Sequence, residues 1–215
     1  MTDIKACLFD LDGVIVDTAK YHYLAWKRLA NELGFEFTEE DNERLKGVSR
    51  MESLDILLSI GGVSFSTSEK ETFAAKKNAW YVEYISKMDA SEILPGVVDF
   101  LKLLRENNIK TALGSVSKNA MLILENTGII NYLDAVIDGT KITKAKPDPE
   151  VFLKGAYELG VQPNQCVVFE DAAAGIQAAV NAGMNSIGVG SPEILRQADF
   201  VISSFEEMTL ERLIF

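Results

Sequence analysis

The chain has 215 residues, of which 21 are basic and 32 acidic, for a formal net charge of −11; 47% are hydrophobic and 25% charged. That is an ordinary globular composition, enough for one domain with an elaboration or two small ones, and its acid excess argues against nucleic acid or an anionic membrane as partner. One histidine, His22, and two cysteines, Cys7 and Cys166, are too few for a Cys/His metal site or a disulfide framework, which leaves chemistry to carboxylates, lysines, arginines, hydroxyls and a hard metal ion.

The first apolar run, Ala6-Cys7-Leu8-Phe9, has the length of a strand buried on both faces of a parallel sheet. It ends in Asp10-Leu11-Asp12-Gly13-Val14, at the carboxyl end of the strand, where open α/β sheets bind ligands. Two carboxylates at about 4 Å and an effective dielectric near 20 repel by roughly 4 kcal/mol. Either one is protonated, as in a general acid, or a cation with oxygen ligands binds them. For this motif alone, a solvated Asp-Gly turn carries about equal weight.

From roughly Lys20 to Ser91 the pattern is helical. Tyr23, Trp26, Leu29, Ala30 and Leu33 share a face, and Ser68 with Glu71 forms a capping box for a Phe73–Ile85 helix. A crossover between parallel strands needs one helix, so most of this stretch is surplus. It reads as an all-helical domain inserted after the first strand, with linkers near Thr18 and at Asp89–Pro95. The expected division is a core of residues 1–18 and 92–215 and an insert of residues 19–91.

Thereafter helices and strands alternate: helices at Val97–Asn107, Asn119–Thr127, Pro149–Leu159 and Ala173–Ala182, and strands at Thr111–Gly114, Ala135–Ile137, Cys166–Phe169, Ser186–Val189 and Phe200–Ile202. This predicts an α/β fold with a doubly wound, Rossmann-like parallel sheet. Asp148-Pro149-Glu150 reads as an N-cap with proline at the first helical position, and Gly128 and Gly160 as left-handed C-caps.

Three further motifs lie at strand ends or in the loops between elements. Gly114-Ser115-Val116-Ser117-Lys118-Asn119 offers a hydroxyl, free N–H groups and a lysine at a helix start, a phosphate cradle; a plain serine N-cap is the stronger reading when the motif stands alone. In Lys144-Ala145-Lys146-Pro147-Asp148-Pro149, prolines on both sides of Asp148 stiffen the loop that carries Lys146. Glu170-Asp171, ahead of Ala172-Ala173-Ala174-Gly175, repeats the arrangement of strand, acid and turn. Two acid-bearing strand ends favour a shared metal over two separate caps.

In this order the motifs resemble the haloacid dehalogenase superfamily of phosphotransferases, over essentially the whole chain. The resemblance implies that Asp10 is a nucleophile forming an aspartyl-phosphate and that Asp12 is the general acid/base, a residue the superfamily's dehalogenases lack. It implies Mg2+ held by Asp10, the backbone carbonyl of Asp12 and Asp171, with Glu170 close by. Ser115 and Lys146 would bind the transferring phosphoryl oxygens, and the insert would be the superfamily's helical cap.

Leu45-Lys46-Gly47-Val48-Ser49-Arg50, continuing to Glu52-Ser53-Leu54, is a basic segment in an acidic chain. An exposed turn between cap helices is the plain reading, but the segment resembles the specificity loop of sugar-phosphate mutases in this superfamily. Asp17 to His22 and Ala25-Trp26 resemble their hinge and first cap helix. The resemblance implies that Arg50 binds a second, non-transferring phosphate, completed by Ser117, Lys118 and Asn119. Lys46, Gly47 and Ser53 would meet the sugar, with Thr18, His22, Trp26 and Lys77 at the hinge side of the substrate site.

The implied activity interconverts β-D-glucose 1-phosphate and D-glucose 6-phosphate through β-glucose 1,6-bisphosphate. The alternatives are a Mg2+-dependent sugar-phosphate phosphatase with the same core chemistry and a non-catalytic binding module. Val116, Ala172 and Asp148 depart from the pattern, where alanine, serine and alanine are expected, and bear on sugar preference more than on reaction type. Met1 to Lys5 carry no secretory apolar core, and no apolar run reaches about 18 residues. The expectation is a cytoplasmic monomer with no membrane or nucleic-acid partner.

Overall fold

The structure, a computed structural model, describes residues 3–46 and 48–215. Met1, Thr2 and Gly47 lie outside the described residues, and with Gly47 the backbone approach to the sugar expected there.

Six parallel strands form one sheet in the order β3-β2-β1-β4-β5-β6: β1 (Ala6–Phe9), β2 (Lys110–Gly114), β3 (Ala135–Ile137), β4 (Cys166–Glu170), β5 (Asn185–Val189) and β6 (Phe200–Ile202). The short apolar runs are explained by burial on both faces. Cys7, Phe9, Leu113, Val167 and Phe169 point into one core layer, while Ala6, Leu8, Ala112, Cys166 and Val168 point into the other. Period-2 alternation is therefore present in direction but invisible in polarity. The first layer is closed by α5 (Val97–Glu106) and α6 (Ala120–Thr127), and the second by α7 (Glu150–Leu159) and α8 (Ala173–Asn181). Within the first layer, Phe9 stacks on Phe169 at 4.8 Å.

Central β1 pairs with β2 on one side, Phe9 opposite Leu113, and with β4 on the other, Phe9 opposite Phe169. The chain winds outward in opposite directions from this pair, so a crevice opens above the ends of β1 and β4. Every strand and the four helices around the sheet start and end within one residue of the sequence expectation. Gly128 and Gly160 close α6 and α7 in left-handed conformation. Pro149 occupies the N-cap position of α7, and Asp148 Oδ1 accepts from Glu150 N at 3.0 Å, one position from the expected cap.

Between β1 and α5 lie α1 (Ala19–Glu32), α2 (Glu39–Glu43), α3 (Arg50–Ile60) and α4 (Thr67–Ile85). They enclose a third core built on Trp26, Leu29, Ala30, Phe37, Leu54 and Leu57, with Tyr23 and Leu33 packed against it. The capping box is a correction. It is Ser66 with Glu69, Ser66 N donating to Glu69 Oε2 at 2.8 Å, and not Ser68 with Glu71. The helix starts at Thr67, which places Ser68 and Glu71 within its first turns, beyond any cap position.

The chain segments entering and leaving these helices are paired. Val16 and Ile93 form an antiparallel bridge, flanked by Asp17 N to Glu92 O and Leu94 N to Ile15 O, both 3.0 Å. The Glu92 carboxylate then accepts from Lys20 Nζ and Tyr21 Oη, each at 2.6 Å. Tyr81 and Ile85 of α4 reach past this junction into the first core layer. Among the described residues, no helix is long and apolar enough to cross a membrane.

Candidate active site

Three carboxylates, of Asp10, Glu170 and Asp171, offer oxygens within 4.8 Å of one another. The sheet puts them there: Asp10 follows β1, and Glu170 ends the neighbouring β4. Two glycines make the cluster compact. Gly13 has φ +78°, and a Cβ on it would come within 2.3 Å of Asp171 Oδ2. A Cβ on Gly175 of α8 would overlap the Glu170 carboxyl carbon at 1.9 Å. Any larger residue at either place would push an acid out of the cluster.

Lys146 supplies the countercharge. It is 1% exposed, and its Nζ donates to Asp10 Oδ1 at 2.5 Å and to Glu170 Oε1. Burial opposes its charge, but Asp10 and Glu170 outweigh burial and hold the ammonium above the usual lysine range. The loop carrying it is anchored by Glu150, whose Oε2 accepts from Thr143 N at 2.9 Å and Lys144 N at 2.7 Å, and by Asn181 Nδ2 donating to Pro147 O. The second oxygen of Asp10 and of Glu170 also accepts a bond: Asp12 N donates to Asp10 Oδ2 at 3.1 Å, and Ala172 N to Glu170 Oε2 at 3.1 Å.

On the far side, Lys46 Nζ, from the segment between α2 and α3, lies 3.3 Å from Asp171 Oδ2 and 3.0 Å from Glu43 Oε2. Burial, then repulsion from Asp10, raises the Asp171 carboxyl above the usual range, and Glu170 is shifted the same way, chiefly by burial. Excess negative charge in a dry, all-oxygen donor set fits a hard divalent cation. Asp10 and Asp171 would hold it, with Glu170 adjacent.

Asp12 sits apart from this cluster. Thr18 Oγ1, fully buried, donates to Asp12 Oδ1, and burial, then repulsion from Asp10, pushes the Asp12 carboxyl up to about 6. Next to it His22 Nε2 lies 3.9 Å from Asp12 Oδ1, and His22 Nδ1 is 2.9 Å from Lys77 Nζ. With Lys77 protonated and donating, Nδ1 accepts and the ring proton falls on Nε2, toward Asp12. Burial, Lys77 and Arg50 hold His22 well below the usual histidine range, so the ring is neutral. Burial and Arg50 push Lys77 down to about 7. Its ammonium also lies 4.3 Å from the centroid of Trp26, a core residue of the inserted helices.

These groups border a cavity of about 500 Å³ between the sheet and the inserted helices. Of the residues singled out from sequence, Asp10, Asp12, His22, Trp26, Lys46, Arg50, Ser53, Lys77, Ser117, Lys118, Asn119 and Asp171 line it. Thr18, Ser115, Lys146 and Glu170 stand behind the wall: Ser115 Oγ accepts from Ser117 N at 3.1 Å, Thr18 and Lys146 donate to the wall carboxylates of Asp12 and Asp10, and Glu170 accepts from Lys146. Ser53 Oγ is turned to Leu45 O at 3.4 Å, supporting the loop. Val116 lines the cavity, and Ala172 is buried without a cap hydroxyl at the start of α8.

Sequence reasoning missed Asn78, Glu71, Thr143 and Lys144 in the wall. Asn78 Oδ1 accepts from Asn119 Nδ2 at 2.9 Å, joining α4 to the strand-end loop. The signal was there in Ala74, Lys77, Asn78 and Tyr81, which follow one face of α4 at helical spacing.

An acid at the end of β1, a second acid two residues on, a buried lysine and an acid pair at the end of β4 define a phosphotransferase site of the haloacid dehalogenase type. The haloacid dehalogenase-like hydrolase family matches residues 4–183, and the chain belongs to that family. Within it, the chain is 44% identical over 212 residues to β-phosphoglucomutase of Bacillus subtilis, covering 98% of this chain and 94% of that protein. A crystal structure of β-phosphoglucomutase from Clostridium difficile superposes with a TM-score of 0.92 at 45% identity, over 98% of this chain and 95% of the other. The chain is also 32% identical over 191 residues to a phosphorylated carbohydrates phosphatase of Thermotoga maritima, covering 86% and 84% of the two chains.

Proposed function

We propose that this enzyme interconverts β-D-glucose 1-phosphate and D-glucose 6-phosphate through a phosphorylated Asp10. The carrying observation is that one cavity is bordered by Asp10 and Asp12 and also by Arg50, Ser117, Lys118 and Asn119. A substrate with two phosphates needs a second set of donors away from the nucleophile; a phosphatase does not. The likeness to β-phosphoglucomutases over nearly the full chain supports the same reading.

In this reading Asp10 carries a phosphoryl group and donates it to the 6-hydroxyl of β-glucose 1-phosphate, while Asp12 accepts the hydroxyl proton. The bisphosphate turns over, its C1 phosphate bonds to Asp10, and Asp12 returns the proton to the departing C1 oxygen, giving glucose 6-phosphate. A carboxyl at about 6 is suited to both roles near neutral pH. Lys146 and the Asp12 N–H hold the Asp10 oxygens in place, and Ser115 and Lys146 are assigned to the transferring phosphoryl oxygens. Arg50 offers a guanidinium fork to the other phosphate, with Ser117, Lys118 and Asn119. Lys46, Gly47, Ser53, Thr18, His22, Trp26 and Lys77 are assigned to the sugar and hinge side.

The cation is proposed to be Mg2+; when bound it offsets the charge of the acids and of the phosphoryl oxygens. Residues 1–18 and 92–215 act as core and residues 19–91 as cap, a division supported by the separate core of the inserted helices. The enzyme is read as a cytoplasmic monomer acting on small sugar phosphates without nucleic-acid or membrane partners, in keeping with its net charge of −11.

The test is turnover of both anomers of glucose 1-phosphate with Mg2+ and a trace of the bisphosphate. Glucose 6-phosphate formed from the β anomer and lost in Asp10→Asn supports the mutase. Inorganic phosphate released at a comparable rate makes the enzyme a phosphatase instead.

A further inference from the structure

Two side-chain amides meet at the cavity wall: Asn119 Nδ2 donates to Asn78 Oδ1 of α4 at 2.9 Å. Asn119 occupies the N-cap position of α6, yet its side chain makes no cap bond; it is turned to the inserted helices instead. Among the described residues this is the one hydrogen bond of the Asn78 side chain, and it uses the acceptor. What remains is Nδ2, which can only donate. Tyr81 Oη is the one sealed side-chain polar atom without a partner among the described residues, so the Nδ2 of half-buried Asn78 is reachable from the cavity that the residue lines. Ala74 and Ala75, a turn earlier on α4, line the same wall with side chains too short to fill the space before it.

The neighbouring groups decide what this amide would meet. Lys77 is already engaged, its ammonium 2.9 Å from His22 Nδ1 and 4.3 Å from the centroid of Trp26. Ser117 Oγ accepts from Asn119 N at 3.3 Å, which leaves its O–H to donate. Lys118 lines the same wall, and Arg50 begins α3, which packs against α4. A wall of donors drawn from both the core loop and the inserted helices suits an anion with several acceptor oxygens, as a phosphate monoester has.

We infer that Asn78 binds the second, non-transferring phosphate of the substrate through Nδ2, beside Arg50, while its bond to Asn119 fixes the plane of the amide. The amide adds no charge, so it orients the phosphate without deepening the pull of Arg50 and Lys118. That suits a bisphosphate that must let go, turn over and bind again. The inference rests on the reading of this chain as a mutase with a second phosphate site.

The experiment compares Asn78, Asn78→Ala and Asn78→Asp. Aspartate still accepts from Asn119 Nδ2, so it keeps the bridge but puts a charged acceptor where the free donor was. Binding of glucose 1,6-bisphosphate with Mg2+ is measured by titration calorimetry in an Asp10→Asn background, which prevents turnover. Hydrolysis of phenyl phosphate, which has no second phosphate, is measured with Asp10 intact. The bisphosphate Kd is expected to rise about tenfold in Asn78→Ala and about a hundredfold in Asn78→Asp. The loss of kcat/KM on phenyl phosphate is expected to be several-fold smaller in each case. A Kd in Asn78→Asp no weaker than in Asn78→Ala would make the bridge itself the role of Asn78 and overturn the inference. So would losses on phenyl phosphate equal to those on the bisphosphate. Isomerisation of β-glucose 1-phosphate by wild type tests the mutase reading separately: an enzyme that hydrolyses without isomerising fails that reading, while the order of the bisphosphate Kd values still decides Asn78.

Discussion

Lys146 Nζ lies 2.5 Å from Asp10 Oδ1, across 136 residues of chain, and closes the same grip on Glu170. One buried ammonium thus stands between two buried carboxylates. Lys146→Met leaves both without a countercharge, which typically costs about 3–5 kcal/mol. Turnover should fall by roughly a hundredfold or more, and Tm should drop. Protonation relieves unpaired carboxylates, so the Tm gap to wild type should narrow as pH falls from 8 to about 5; a pH-independent gap would contradict the ion-pair assignment.

The acid cluster should respond to a cation even without substrate. Adding Mg2+ to chelator-treated protein is expected to raise Tm, by about 2.7 kcal/mol of stability at a hundredfold excess over Kd. In Asp171→Asn most of that rise should vanish, while Glu92→Gln, at the linker junction and outside the cluster, should keep it. Chelation should abolish turnover, and restored Mg2+ should recover it.

Arg50 separates the two candidate reactions. Arg50→Ala should lower kcat/KM for β-glucose 1-phosphate by about a hundredfold or more, because the charge-assisted bonds to the second phosphate are lost. Hydrolysis of a small phosphomonoester, which has no second phosphate, should survive within a few-fold. Equal losses in both assays would place Arg50 in the chemical step itself.

Lys77 gives a stability profile with a definite sign. Its folded-state value is pushed down to about 7 from 10.5, so between these limits the unfolded chain binds the extra proton. Stability then rises with pH through this window, by up to about 1.4 kcal/mol per unit from this group. In Lys77→Met the contribution is gone. Urea denaturation at pH 7 and pH 9.5 should show wild type gaining relative to the variant at the higher pH.

The sheet was legible because strands buried on both faces read as short, mainly apolar runs, and each is followed by a residue suited to a turn: Asp10, Ser115, Asp138, Asp171, Gly190 and Ser203. The acids were legible for the same reason: Asp10 and Glu170 directly follow or end such runs. The capping box was not, since Ser66-x-x-Glu69 and Ser68-x-x-Glu71 both satisfy the pattern two residues apart, and only the helix start decides. Lys46 against Asp171 and Asn119 against Asn78 were hidden for a deeper reason. They depend on how the inserted helices fold back over the sheet, which no local pattern encodes.

The antiparallel bridge between Val16 and Ile93 brings the departure and the return of the inserted helices to one point on the core. Topologically the insert is an enlarged loop on a closed hairpin neck. The sheet ladder runs through none of it, so its hydrogen bonds are indifferent to what the loop contains. A different set of helices can occupy that place if it preserves the neck and fills the wedge taken by Tyr81 and Ile85. Substrate choice, proposed here for Lys46 and Arg50, is thereby separable from the phosphorus chemistry proposed for Asp10. A lineage, or an engineer, can replace the reader without rewriting the reaction.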